Sequence, residues 1–479
     1  MYTFNNIKLN RHSNTHLYVQ LYNEIKILIK ENKLKANSKL PSIRYLAEIL
    51  ELNNSTVVNS YRLLEQEGYI YKKIGSGSYV KNQDVTSSIS KKEIKKKTRY
   101  DFSNNAPDDS LFPVNSFKIL FNEILDRDGG GAFNYQDSKG YFPLRESIVK
   151  YIKQLNIKTN VENIQIISGA QQGIDIISKT LIDYGDTVIT ESPTYSGAIY
   201  AFKSRSAKII EIPIDRDGID IKILESKISL LKPKIIYVMP NYQNPTGFSY
   251  SDKVKKEILN IAHKYNIYII EDDFLSEIPF KSKKHFPIKS FDYNDRVIYI
   301  KSFSKTFMPG LRLGFVILPL GIQQKFLLGK HFTDISTSGF IQRVFDLYLK
   351  RGLWRSHINS ISIVYNNKFN NMMKLIKKYK PTTLRYYRPS GGLNFWFSLP
   401  DGYSSQKLEK YLEHKDILIS SGSRFLIDNR DTEYFRLSIA SIDSENMEIG
   451  IMNFFNHIKL FLENECNKMS FFNKKNFML

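Results

Sequence analysis

In the segment VIYIKSFSKTFMPGLRLGF, Ser302, Lys305 and Arg312 stand close together at the end of an apolar run that reads as a strand. An amine held there beside a hydroxyl and a guanidinium suits a Schiff base with the aldehyde of pyridoxal phosphate (PLP), the hydroxyl and the cation neutralising the phosphate. Lysines are mostly solvated surface groups, so the reading depends on what accompanies Lys305. IIEDDF places Asp272 at a strand end, where a carboxylate can pair with a pyridinium nitrogen and keep the ring an electron sink. PNYQNPTG puts Asn244 on a turn, where its amide can donate to the ring oxygen O3′. SGAQQGIDII is a glycine-containing loop opening a helix, so its amides point at an anion. ESPTYSG supplies Tyr195, an aromatic that can stack on the ring.

These groups need a frame, and the chain carries one. Seven apolar, β-branched runs (NIQIIS, TVITES, KIIEIPI, KIIYVMP, IYIIEDD, VIYIKSF and LRLGFVIL) alternate with helical patterns. Buried strands interleaved with helices predict an α/β domain with a mostly parallel sheet. Beyond about residue 350 a long helical pattern, shorter strand-like pieces and a final helix near 444–465 predict a smaller α+β lobe. Residues 466–479 read as a tail.

The first 80 residues read differently. LYVQLYNEIKILIKEN sets Leu17, Leu21, Ile25, Leu28 and Ile29 on one helical face. A second helix begins in LPSIRYLAEIL, with Ser42 as N-cap and Ile43, Leu46, Ala47 and Leu50 as its stripe. A third, STVVNSYRLLEQEG, stops at Gly68, and YIYKKIGSGSYV follows as two strands joined at Gly75-Ser76-Gly77. Three helices and a hairpin make a winged helix-turn-helix, whose third helix enters the major groove. Residues 81–100 are polar, rich in Ser and Lys, and read as a linker. Residues 1–100 hold 18 Lys and Arg against 8 Asp and Glu, about half the excess of a chain whose formal charge is +21. A basic end can serve phosphate neutralisation, although Lys is abundant throughout the chain.

LPSIRYLAEILELNNSTVVNSYRLLEQEGYIYKKIGSGSYV resembles the GntR-type winged helix over nearly its full length. The resemblance implies DNA contacts from Arg44, Ser55, Thr56 and the wing near Gly77, and a guanidinium and helix-start hydroxyls are suited to that task. Many members carry Arg where this chain has Asn54, so the usual base preference does not carry over. Residues 100–460 resemble the fold-type I aminotransferases, with PNYQNPTG and SFSK…PGLRLG the most specific elements. That resemblance implies that Lys305 forms the Schiff base, Asp272 binds the ring nitrogen, Asn244 binds O3′ and Tyr195 stacks. It gives the phosphate to Ala170, Gln171, Ser302 and Arg312, helped by Tyr135 of the neighbouring subunit, and the substrate α-carboxylate to Arg436. The family usually has Tyr two residues after the ring-nitrogen Asp. Phe274 stands there, which removes a donor to O3′ unless another side chain, such as Tyr242, replaces it.

Together the two resemblances are those of the MocR-type regulators: residues 1–80 for DNA, a linker at 81–100, and a PLP-binding domain at 101–465. They imply a homodimer arranged head-to-tail that binds double-stranded DNA and senses an amine or amino acid by aldimine exchange at Lys305. Two other readings stay open. One is a working aminotransferase with a secondary DNA-binding domain, and the other is a PLP fold without cofactor that serves only to dimerise. No apolar run reaches the ~18 residues of a membrane span, the N-terminus has no apolar signal core, and the single cysteine, Cys466, can form no internal disulfide. A cytoplasmic protein is expected, with no membrane contact and no metal site.

Overall fold

The structure, a computed structural model, describes residues 4, 7, 9–11, 13, 15–31, 33–73, 76–81, 100–278 and 285–476. The chain forms two compact units, Met1–Thr98 and Arg99–Leu479. Most of the expected linker, residues 82–99, and Gly75 of the expected turn lie outside the described residues.

The first unit holds helices α1 (Leu17–Lys30), α2 (Ile43–Ile49) and α3 (Asn54–Gln66), then an antiparallel hairpin, β1 (Ile70–Lys73) and β2 (Gly77–Val80). Leu21, Ile25, Leu28 and Ile29 of α1 are buried with Leu46, Ala47, Val57 and Leu64 in one core. Ser42 caps α2, accepting from the Tyr45 amide at 3.3 Å, and Gly68 takes φ +75° just past α3, as a left-handed helix stop requires. The expected helices, cap and hairpin are all present.

The second unit starts with β3 (Tyr100–Asp101), so the end of the expected linker is already in a strand. Its large sheet has seven strands: β4 (Ile164–Ile167), β5 (Thr187–Ser192), β6 (Lys208–Pro213), β7 (Ile235–Val238), β8 (Tyr268–Asp273), β9 (Val297–Ser302) and β10 (Gly314–Ile317). Their order is β4-β10-β9-β8-β7-β5-β6, with β10 antiparallel to both neighbours and every other pairing parallel. Strands β4, β7, β9 and β10 are buried along their whole length, which is why they read as continuous apolar runs rather than alternating ones. The smaller lobe follows the 27-residue helix Leu353–Tyr379. It contains β11 (Arg385–Tyr387), β12 (Asn394–Ser398), β13 (Ile417–Leu418), β14 (Ser420–Ser421) and β15 (Tyr434–Ser438), of which β11-β12-β15-β14 form one sheet. β3 pairs in parallel with β13, tying the start of the unit to the small lobe. The last helix runs Ser444–Asn476, well beyond the expected end near 465 and through most of the expected tail.

Candidate cofactor site and nucleic-acid interface

The carboxyl ends of β8 and β9 lie side by side, Asp272 opposite Ile300 in register, and deliver Asp272 and Ser302 to one end of the sheet. Two aspartates compete for the ring nitrogen, and their surroundings separate them. Asp273 points to the opposite face of the strand and is already saturated. It accepts from Tyr299 Oη at 2.5 Å, Lys301 Nζ at 3.3 Å and the Ser276 amide at 3.0 Å, and the Lys301 charge and these donors hold its carboxyl below the usual range. Asp272 is 2% exposed and accepts one bond, from Tyr237 Oη at 2.8 Å. Its other oxygen, Oδ1, is buried and has no hydrogen-bond partner among the described residues. Burial pushes this carboxyl up to about 6. A protonated pyridine nitrogen supplies both things it lacks, a donor and a positive charge.

Both Asp272 and Arg312 act on the half-buried Tyr195 hydroxyl, which donates to Gln171 Oε1 at 3.1 Å. At the phosphate end, Ala170 and Gln171 open the helix Ala170–Leu181 after Gly169, whose φ of +84° turns the loop. Arg312 Nη2 donates to the Ser168 carbonyl at 3.1 Å. A Cβ on Gly169 would meet Arg312 at 2.8 Å, and one on Gly197 would meet Gln171 at 2.1 Å, so the cradle has no room for side chains there. Gln172 fixes the loop from behind, accepting from the Ser168 amide at 2.6 Å and donating to Asp334 at 2.9 Å.

Lys305 follows the end of β9 and is held partly out of water. Its burial, with Arg436 and Arg312 nearby, lowers the amine to about 8. An amine poised there is a good nucleophile towards a carbonyl. His357 reaches the Thr306 carbonyl beside it at 2.7 Å. Arg436, on β15, is buried by three segments: Nη1 donates to Asn244 Oδ1 at 2.9 Å, and Nη2 donates to Ser420 Oγ at 3.0 Å and to the Ser103 carbonyl. Among the described residues its Nε has no hydrogen-bond partner, and Asp101 acts on it only from beyond ion-pair distance. Desolvation, reinforced by Arg424, lowers it to about 10. A buried guanidinium without a counter-ion is a carboxylate site in waiting. Asn244 accepts Arg436 and Asn394 on its oxygen, which leaves its NH2 as the end able to meet O3′. Ser103, Tyr195, Asn244, Ser420, Arg424 and Arg436 share a cavity of about 420 Å³. A larger cavity, about 890 Å³, is lined by Tyr151, Glu277 and Trp354 among others and contains none of these residues.

Tyr135 stands apart from the group and is 82% exposed. Phe274 is buried in the main core, and its side chain has no hydroxyl to give. The Tyr242 hydroxyl is buried without a partner among the described residues, and its ring packs on Gly391 and Gly392 and edge-on to His285. Asp273, rather than Asp272, is the acid that acts on it.

Sequence reasoning missed Tyr237, Ser103 and Ser420. Tyr237 was legible in principle: it pairs with Ile270, two residues before Asp272, so strand alternation puts its side chain on the same face. Ser103 carries no such signal, because it meets Arg436 from 333 residues away, and Ser420 meets it through the register of β14 against β15, which no local pattern specifies.

On the first unit, Arg44 and Ser55 are exposed and Thr56 is half-buried. Asn53 precedes α3 without a side-chain cap, so the first amides of the helix are not satisfied by it. Gly77 has φ +114°, and a Cβ there would come within 3.2 Å of Lys39, a cation that lies beside the wing by a bridge to Tyr79 and was missed in the sequence.

Residues 100–454 match the model of aminotransferase class I and II. The chain belongs to this family. Residues 17–80 match the bacterial regulatory proteins of the gntR family, which implies DNA binding. A gntR module in front of a class I and II aminotransferase domain is the MocR-type architecture. An uncharacterised HTH-type transcriptional regulator of Bacillus subtilis (strain 168), YdfD, is 29% identical over 463 residues, covering 91% of this chain and 94% of that protein. The aromatic-amino-acid aminotransferase 1 of Thermococcus litoralis is 29% identical over 359 residues, covering 74% of this chain and 86% of that protein. The structure of the α-aminoadipate aminotransferase LysN of Thermus thermophilus, complexed with N-(5′-phosphopyridoxyl)-L-leucine, aligns with a TM-score of 0.73 and 28% identity. That alignment covers 79% of this chain and 97% of LysN. PLP is the cofactor of the family. Among the described residues, no helix is long and apolar enough to cross a membrane.

Proposed function

We propose that this chain is a cytoplasmic transcription regulator that binds double-stranded DNA through residues 17–80 and senses an amino acid in its aminotransferase-like domain. The observation that carries this reading is the extent of the matches. Similarity to a regulator spans both units, whereas similarity to the aminotransferase ends with one. When bound, PLP supplies an aldehyde carbon that a primary amine can take over from a lysine. Lys305 is the amine to be displaced, held at reduced basicity. Asp272 keeps the ring nitrogen protonated, Asn244 orients the ring oxygen, and Tyr195 covers the ring face. Ala170, Gln171, Ser302 and Arg312 hold the phosphate, and Arg436 selects amines that carry a carboxylate. Tyr135 reaches the phosphate of a second copy, and its exposure, with that of neighbouring Phe133 at 67%, supports a head-to-tail homodimer. Binding that favours one of two dimer arrangements would shift the DNA-binding units.

The test is Arg436→Ala in the PLP-loaded protein. Its visible spectrum should respond to amino acids about tenfold or more weakly than the wild type, on the scale of a lost charge-assisted fork. Its response to a simple alkylamine should be unchanged. Equal loss towards both would remove the carboxylate-anchor role. A second reading, a working aminotransferase, is supported by the Arg436 guanidinium lying against Asn244 and acting on Lys305. Steady turnover of an amino donor with a keto acid would decide for it.

A further inference from the structure

The outward face of α3 carries an apolar side chain that its own unit leaves uncovered. Val57, Ser60, Tyr61 and Leu64 are buried against the core of the unit. The exposed flank presents Asn54, Val58 and Arg62, each four residues from the next along a single stripe, with Ser55 beside them. Val58 sits in the middle of that stripe, 44% exposed, with polar or charged residues on either side. The two acids at the far end of the helix region are already neutralised: Glu65 by Lys72 at 2.6 Å and Glu67 by Lys26 at 2.8 Å. The stripe therefore offers an amide, an isopropyl group and a guanidinium, with no uncompensated negative charge to repel a polyanion.

We infer that α3 reads A·T base pairs in the major groove, with Val58 packed on a thymine methyl and Asn54 on an adenine about two base pairs away. The inference rests on residues 17–80 being a DNA-binding module and adds what that module recognises. Only thymine presents a methyl group in the major groove, and an isopropyl side chain is a fitting partner for it. An asparagine amide matches the N6 donor and N7 acceptor of adenine, whereas it matches neither guanine nor cytosine as well. Residues 54 and 58 are four apart, about 6 Å along a helix axis. At ~3.4 Å per base pair, the two contacts fall about two base pairs from each other. Arg62, a further turn along, is placed for a phosphate rather than a base.

The experiment uses the full chain and a duplex selected by it from a random library, with binding read by fluorescence anisotropy. Each thymine is replaced in turn by deoxyuridine, which removes only the methyl group. One position per half-site should weaken wild-type binding by about fourfold, the size expected for one buried methyl. Val58→Ala should bind the thymine duplex as weakly as the wild type binds the uracil one, and should no longer tell the two apart. Asn54→Arg should move the preference at a neighbouring position from adenine to guanine. If uracil is harmless at every position, or if Val58→Ala still distinguishes the two duplexes, the inference fails while salt-dependent binding leaves the DNA-binding reading intact. If no duplex is selected at all, that reading fails, and the inference falls with it.

Discussion

Lys305→Ala should lose the visible absorbance of the cofactor-linked protein completely and yield no PLP adduct after borohydride reduction and peptide mapping. The wild type should yield one adduct, on Lys305. The motive is positional: Lys305 is the amine beside the Arg312 and Arg436 guanidiniums, at the end of the strand next to Asp272. Lys301, the other lysine of this strand end, is unavailable, because it is fully buried in ion pairs with Asp273 and Glu277. The loss should not come from unfolding. The lysine is lowered from 10.5 to about 8, so between these values the folded chain binds fewer protons than the unfolded one. The stability contributed by this site therefore rises with pH across that window, and below about 8 the charged amine is a burden. At pH 7 the cofactor-free variant should melt no lower than the cofactor-free wild type, and the difference should shrink as pH approaches 10.5. An adduct on another lysine would displace the site assignment.

The second large effect concerns DNA. A dimer that presents two recognition helices should bind a duplex carrying two related half-sites. If the two units together neutralise six to ten phosphates, affinity should fall on the order of 10³-fold or more between 50 and 200 mM salt. Arg44 is exposed on the second residue of α2. Arg44→Ala should weaken binding about tenfold and flatten the salt dependence, if its contact is to phosphate, by about one unit of slope per subunit. Removing residues 1–80 should abolish binding. A salt-insensitive complex, or one that survives the deletion, would end the regulator reading.

What was legible in the sequence was what is local. Seven apolar runs are the seven strands of the large sheet, because most strands of a sheet covered on both faces carry apolar residues on both. The Ser42 cap and the Gly68 stop follow from one-residue rules of helix ends. Lys305, Asp272 and Asn244 sit in short motifs whose strand-to-loop context can be read from the run beside them. The choice of Asp272 over Asp273 is explained only by the fold, since it depends on Lys301 and Tyr299 reaching one face of the sheet and Tyr237 the other. The support of Arg436 from Ser103 joins residues more than three hundred positions apart, and that from Ser420 depends on which strands pair, so neither leaves a periodic trace. The last helix reads in the sequence as ending near 465, whereas it runs to Asn476.

The account stands on the coupling of the two units. Its direct test is a titration of the PLP-loaded full chain with amino acids, reading visible absorbance and DNA affinity in the same samples at fixed salt. The expected result is that an amino acid which changes the spectrum also changes DNA affinity, by about 5- to 150-fold and with the same midpoint. Lys305→Ala should show neither response. A saturated spectral change, or steady transamination, with DNA affinity unchanged would contradict the account and make the chain an enzyme that carries a DNA-binding module.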